Sequence, residues 1–324
     1  MVSESNDIHA APNRKDRRQQ PKREKHDVHG WVILDKPIGM TSTHAVAVIK
    51  RLFSARRAGH AGTLDPLASG CLPIALGEAT KTVPFIMDSR KTYRFTVRWG
   101  EERDTDDSEG RVVATSDERP NPDAVRALLP RFTGVIAQVP PRFSAIKVEG
   151  ERAYDLARDG EAVELAARPV AIDRLALTDT PDRDHSVLET DCGKGTYVRA
   201  LARDLGRTLG CFGHVSALRR TRVGPFGEAD MISLDKLTEM SHKAPGPMAI
   251  TGVLRPLETV LDGIPALALK DAEAQRLKQG QSVLLRGANA PIAEAAVLVT
   301  WGGKPLGLCS IEQGALKPKR LFNL

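Results

Sequence analysis

The sequence has 324 residues, with 47 Lys+Arg against 41 Asp+Glu, so its formal charge is +6 at neutral pH. That length accommodates two domains at roughly 100–200 residues each, and 41% hydrophobic residues with 27% charged is too apolar for a disordered chain. No apolar run reaches the ~20 residues of a membrane helix, residues 1–25 lack the apolar core of a secretory signal, and Cys71, Cys192, Cys211 and Cys309 form no CxxC pair. These features exclude a membrane span, a zinc site and a disulfide framework, and they fit a cytoplasmic protein.

Residues 1–27 are polar and basic, with Arg14, Lys15, Arg17, Arg18, Lys22, Arg23 and Lys25, and read as a disordered arm. Order is expected from Gly30, where Trp-Val-Ile-Leu-Asp35 reads as a buried strand. Thr41 and Ser42 offer an N-cap to a helix with an apolar stripe of Val46, Ile49 and Leu52/Phe53. Glycine and proline then break up the stretch from Gly59 to Lys81. Tyr93–Trp99 alternates strictly, with Tyr93, Phe95, Val97 and Trp99 on one face and Arg94, Thr96 and Arg98 on the other. Further elements are a helix near Asp123–Arg131, strands near Val170–Leu177 and Ser186–Cys192, a helix over Tyr197–Leu209, and a strand over Val215–Val223. Helices and strands do not alternate regularly, so the fold class is α+β with a mixed, largely antiparallel sheet.

A Pro/Gly-rich stretch at Ser241–Gly252 reads as a linker to a small β-rich region. That region is expected to hold a helix at Asp271–Gln279 and strands at Ser282–Arg286, Ala295–Trp301 and Leu306–Ile311. The expected domains are therefore 28–252 and 253–324, after the arm at 1–27.

Several chemistries are excluded by their motifs. Gly193-Lys194 and Gly303-Lys304 are followed by Gly and Pro, so there is no P-loop. Asp104–Gly110 is acidic but lacks the ligand spacing and distal Glu of a calcium loop, and reads as a solvated turn. Gly193-Lys-Gly195 lacks the third glycine of a dinucleotide fingerprint. The remaining candidate is Asp65, which Pro66 biases towards an extended backbone within a loop rich in glycine.

That loop, Gly59-His-Ala-Gly-Thr-Leu-Asp-Pro-Leu-Ala-Ser-Gly70, resembles the catalytic motif of the TruB family of tRNA pseudouridine synthases. Asp35–Ser42, Gly77-Glu-Ala-Thr-Lys81, Lys91-Thr-Tyr93, Gly195-Thr-Tyr-Val-Arg199 and Leu218-Arg-Arg220 match in family order. Ala61 departs from the threonine many members carry. The resemblance implies a pseudouridine synthase catalytic domain with a small PUA-like RNA-binding domain, and isomerisation of uridine 55 in the tRNA T-loop without cofactor or metal. It casts Asp65 as the nucleophile, Arg199 as its cationic partner and Tyr93 as the tyrosine that stacks on the target base. It places Tyr197 and Leu218 in the pocket, Lys36 beside the active-site loop among the substrate-binding residues, and His60 in the space left by displaced bases. The implied partner is tRNA, through its T-loop and stem, bound by a monomer with no protein partner and no membrane. Arg94, Arg98, Arg219, Arg220 and Arg222 are candidate phosphate contacts. Two other readings are a catalytically silent RNA-binding module on the same fold, and a base-modifying enzyme that uses a cofactor. The presence of Asp65 argues against the first, and the lack of a nucleotide fingerprint against the second.

Overall fold

The computed structural model describes residues 24–144, 146–148, 151–152, 165–243, 247–287 and 290–324. Most of the basic arm, residues 1–23, therefore lies outside the described residues. Order begins before Gly30: the His26 amide donates to Ser54 O at 2.8 Å, and Val28 is buried.

Strand β1 (Gly30–Lys36) leads through a turn to helix α1 (Ser42–Leu52). The N-cap is Thr41, whose side chain accepts from the His44 amide. The buried stripe of α1 is Ala45, Ile49 and the following Phe53 at four-residue spacing, whereas Val46 packs only partly. Strands β2 (Ala58–His60) and β3 (Ala68–Leu76) flank the Asp65 loop, and α2 (Val83–Met87) follows. Strand β4 (Lys91–Trp99) buries Phe95, Val97 and Trp99, leaves Arg94 and Arg98 exposed, and keeps Tyr93 half-buried, as its alternation requires. Strands β5 (Glu101–Arg103) and β6 (Val112–Thr115) form a hairpin around the acidic turn.

Helix α3 (Pro122–Leu128), strand β7 (Gly134–Gln138) and two short strands, β8 (Lys147–Val148) and β9 (Glu151–Arg152), come next. After them run β10 (Arg168–Asp182), β11 (His185–Cys192), helix α4 (Val198–Thr208) and β12 (Gly213–Val223). β13 (Ile232–Ser233) and helix α5 (Leu234–Lys243) end this part. Among the described residues the large sheet runs β13-β1-β3-β12-β4-β11-β10-β7, with β2 added beside β3. Only the β1–β13 and β3–β12 pairs are parallel, so the sheet is mixed and largely antiparallel, as expected. Helices α1 and α4 bury their apolar faces in the main core with Phe95, Val97 and Leu218.

Of the stretch read as a linker, residues 244–246 lie outside the described residues; α5 runs to Lys243, and a 3-10 turn covers Pro247–Val253. Beyond it, β14 (Ala266–Ala268), helix α6 (Asp271–Lys278), β15 (Val283–Leu284), β16 (Glu294–Trp301), β17 (Lys304–Glu312) and β18 (Ala315–Leu321) form a five-stranded sheet ordered β14-β16-β17-β18-β15. Its Leu298 and Leu308, with Phe322 just past β18, join Trp31, Ile33 and Ala75 of the first sheet and Phe226 after β12 in one apolar cluster. No helix among the described residues is long and apolar enough to cross a membrane.

Candidate active site

The Asp65 loop connects β2 to β3 and is gripped from three sides by polar contacts to its backbone. Ser42 at the start of α1 donates its hydroxyl to Leu64 O at 3.0 Å and accepts from the Leu64 amide at 2.9 Å. The Gly39 amide donates to Pro66 O at 2.8 Å. Lys36 Nζ donates to Pro37 O at 2.9 Å, Met40 O at 2.8 Å and Pro66 O at 3.5 Å. Lys36 is fully buried, and burial, offset in part by Asp65 and reinforced by Arg220, lowers its pKa to about 8. With its ammonium bonded to backbone carbonyls inside the protein, Lys36 ties the Lys36–Met40 segment to the Asp65 loop.

Asp65 itself projects from this clamp with its side chain 36% exposed, while Arg199 opposite it is 6% exposed. Arg199 Nε stands 3.0 Å from Asp65 Oδ2 without the alignment of a hydrogen bond, so the contact is an ion pair by proximity. The other guanidinium nitrogens are held elsewhere: Nη1 donates to Thr105 O at 2.8 Å and lies 3.3 Å from Asp107 Oδ2, and Nη2 donates to Phe143 O at 2.9 Å. One turn further along α4, Arg203 Nη1 meets Asp106 Oδ2 at 2.9 Å. The acidic turn thus sends two adjacent carboxylates onto two arginines spaced four apart on one helix face.

That arrangement corrects the solvated-turn reading of Asp104–Gly110. Asp106 and Asp107 are 5% and 3% exposed, and burial, opposed by Arg203 and Arg199, pushes the Asp106 carboxyl up to about 6. The sequence reading missed both residues because a run of Asp, Thr, Ser, Glu and Gly has turn composition, and nothing local marks its partners some 95 positions away. Helix α4 can sit this close to the sheet because of Gly206, where a Cβ would meet Gly213 N and Phe212 C at 2.4 Å.

Tyr93 and Leu218 lie on the neighbouring strands β4 and β12, the second of which pairs with β3 where the loop ends. Burial raises the Tyr93 phenol, which Arg220 partly counters. Leu218 is 7% exposed and belongs to the main core, with its backbone paired to Ala68 of the loop's exit. Tyr197 precedes α4, and the side chain of Gln138 holds its backbone by accepting from Tyr197 N at 2.9 Å and donating to Tyr197 O at 3.2 Å. Burial raises the Tyr197 phenol as well, and Asp65 adds to that effect. His60 ends β2, half-buried, with Nδ1 buried and lacking a hydrogen-bond partner. Burial and the nearby Arg220 lower its pKa, so it is neutral at physiological pH.

The phosphate-contact expectation needs revision for most of the arginines. Arg220 is 1% exposed and cannot meet a phosphate. Arg219 is forked onto Asp35 at 2.9 and 3.2 Å, and also bonds Glu228 at 2.8 Å. Arg94 lies 3.7 Å from Glu189, and Arg98 3.4 Å from Glu101. Arg222 is exposed and donates to Gly224 O.

The site comprises an acid on a loop held by hydrogen bonds, with its cation buried behind it. The chain matches three family models: TruB family pseudouridylate synthase (N terminal domain) over residues 50–198, tRNA pseudouridylate synthase B C-terminal domain over 199–262, and Pseudouridine synthase II TruB, C-terminal, over 265–322. It is 67% identical to the tRNA pseudouridine synthase B of Bradyrhizobium diazoefficiens, covering 94% of this chain and 89% of that one. To the protein of the same name from Nitrobacter winogradskyi it is 63% identical, over 100% and 90% respectively. The solved structure described as an archaeal box H/ACA sRNP Nop10-Cbf5 complex has a similar fold, with a TM-score of 0.69, 25% identity, and 92% and 87% of the two chains covered. The chain belongs to the TruB family of pseudouridine synthases.

Proposed function

We propose that this protein isomerises uridine 55 in the T-loop of tRNA to pseudouridine, with Asp65 as the nucleophile. The N1–C1′ bond breaks and a C5–C1′ bond forms; C5 gives up its hydrogen as a proton, and N1 ends protonated. The reaction is balanced without a cofactor. The observation that carries the assignment of Asp65 is its pairing at 3.0 Å with the buried Arg199 while its own side chain stays open to the cleft. Arg199 orients the carboxylate from behind, and a carboxylate oxygen is the nucleophile that can add to C1′ or C6.

The other residues divide the work by position. Tyr93 stacks on the target base and lies close to the carbon that loses its proton. Tyr197 and Leu218 wall the pocket. Neutral His60 enters the space vacated when the uridine is extruded, offsetting the few kcal/mol that unstacking costs. The substrate is tRNA bound through its T-loop and stem by a single chain acting in the cytoplasm. Residues 253–324 add a second RNA contact, to which exposed Arg286, Lys304, Lys319 and Arg320 contribute.

The test is to incubate the full chain with an unmodified tRNA transcript and no cofactor, then map pseudouridine by base-specific chemical modification and primer extension. Product at position 55 alone supports the reading. Tight tRNA binding without product would favour the silent RNA-binding module.

A further inference from the structure

Arg220 has no part in the chemistry assigned above, yet it lies at the centre of the site with 1% of its surface exposed. A guanidinium so deeply buried persists only where its donors find acceptors. Strand pairing explains how it enters. On β12, Arg220 lies opposite Gly70 of β3 on one side and opposite Tyr93 of β4 on the other. Directly opposed residues project to the same face of a sheet, so Arg220 and Tyr93 emerge together towards the cleft. Gly70, at φ +100°, has no side chain to obstruct the approach, and a Cβ there would stand 2.3 Å from Arg220 O.

The guanidinium reaches across β3. Nε donates to Cys71 O at 2.8 Å, Nη1 to Thr63 O at 3.3 Å and Nη2 to Gly62 O at 3.3 Å. Gly62 and Thr63 form the turn that delivers Asp65. Tyr93 stands directly opposite Arg220 on the neighbouring strand β4.

Resting on the pseudouridine synthase reading, the geometry points to Arg220 as a positioning residue for the reaction. Its guanidinium holds the Gly62–Thr63 turn that aims Asp65, and its place on β12 sets it directly against Tyr93. The nucleophile and the tyrosine are thereby set relative to each other, although they come from different elements.

The test is a double-mutant cycle on the full chain, read by single-turnover pseudouridine formation at saturating tRNA. Arg220→Lys retains the charge but cannot span the three carbonyls that the guanidinium reaches beside Tyr93. It should slow the reaction roughly 10- to 100-fold, the scale of a misplacement near 1 Å, with tRNA affinity held within about threefold. Combined with Tyr93→Phe, the total loss should be at least about fivefold smaller than the product of the two single losses. Losses that simply multiply would show that Arg220 braces the sheet without linking the two groups, and would overturn the proposal.

If Arg220→Lys does not melt cooperatively, the link is read in the other direction. Tyr93→Phe in a chain carrying nitrogen-15 arginine should shift the side-chain NMR resonances of Arg220, and unchanged resonances would overturn it equally. A wild-type chain that makes no pseudouridine would sink the functional reading instead, while the resonance shift still reports the Arg220–Tyr93 contact.

Discussion

The Asp65 loop and the five-stranded C-terminal sheet are held to the central sheet by opposite means. The loop buries few large apolar side chains and is fixed by directional bonds to its own carbonyls and amides, from Lys36, Gly39, Ser42 and Arg220. The C-terminal sheet is seated by area: Leu257, Leu261, Leu298, Leu308 and Phe322 press on Trp31, Ile33 and Phe226. Hydrogen bonds have strict angular preferences, whereas the hydrophobic effect is non-directional and scales with area. Aim is supplied by the first kind of contact and attachment by the second. A catalytic carboxylate needs aim, while a module that widens an RNA footprint needs only to be kept in place.

The largest effect should come from the point at which the loop is aimed. Asp65→Asn keeps the shape of the side chain and removes its charge, so pseudouridine formation should fall below detection in a primer-extension assay. Affinity for tRNA, followed by filter binding, should stay within about threefold. Product at near the wild-type rate would remove Asp65 as the nucleophile and leave the rigidity of the loop without a purpose.

On the other side of the comparison, Phe322→Ala should damage seating and leave chemistry alone. Phe322 is 6% exposed in the shared cluster, and removing a buried phenyl ring costs about 3–5 kcal/mol. A clear drop in the melting midpoint is expected, with single-turnover chemistry at saturating tRNA close to wild type below the melt. The same shared cluster means that deleting residues 254–324 would uncover Trp31 and Phe226, so a point substitution separates seating from folding better than a truncation does.

What could be read in advance follows the same division. Strand β4, helix α1 with its Thr41 cap and the antiparallel character of the sheet follow from short-range patterns that propensity and periodicity carry. Asp65 stood out by its Asp-Pro placement in a glycine-rich loop, but its pairing with Arg199 was legible only through a resemblance between motifs, since no periodicity brings residues 134 positions apart to 3.0 Å. Arg220 was misread as a phosphate contact because strand alternation alone does not reveal which face of a sheet an arginine takes. The glycine opposite it, which opens its route, lies on another strand. Asp106 and Asp107 were hidden by their turn-like composition. Strand β18 was not anticipated: Pro318 interrupts an otherwise charged run, and only its pairing with β17 makes it a strand.

Lys36 sharpens the comparison on the polar side, because its burial makes the clamp sensitive to pH. Its pKa is about 8 in the folded protein against an ordinary 10.5, so between those values the unfolded chain binds more protons than the folded one. Stability contributed through this group therefore rises as pH increases from about 8 to about 10.5. Lys91, buried by the same amount of shift and likewise lowered to about 8, adds a parallel slope. Lys36→Met should lower stability at all pH values by stripping three carbonyls of their donor, and it should also flatten the pH dependence of the melting midpoint across that window. A variant with the wild-type slope would mean that the ammonium is not held inside the clamp.

The smallest effect should come from Glu78, where the apolar seat carries a polar latch. Glu78 is 7% exposed; its Oε2 accepts from the Asn323 amide at 2.9 Å and meets Lys81 Nζ at 2.5 Å, and the same ammonium donates to Leu321 O at 2.6 Å. The end of the C-terminal sheet is thereby tied to the Gly77–Lys81 segment. Burial alone would raise the Glu78 carboxyl, but Lys81 and the Asn323 amide more than offset it and hold the pKa below the usual carboxylate range. A depressed acid stabilises the fold at neutral pH and loses that contribution as pH falls through its folded value. Glu78→Gln keeps an oxygen for Asn323 and loses only the charge on Lys81, a change worth about 1 kcal/mol. At neutral pH the midpoint should fall by roughly 1–2 °C, as expected for a chain of this size, with tRNA affinity within about threefold. The gap between variant and wild type should close on acidification, as pH falls through the depressed folded-state value of Glu78 and the wild-type carboxylate is itself protonated. A gap that persists there would mean that Glu78 acts through its shape, and that the seat needs no charge to hold.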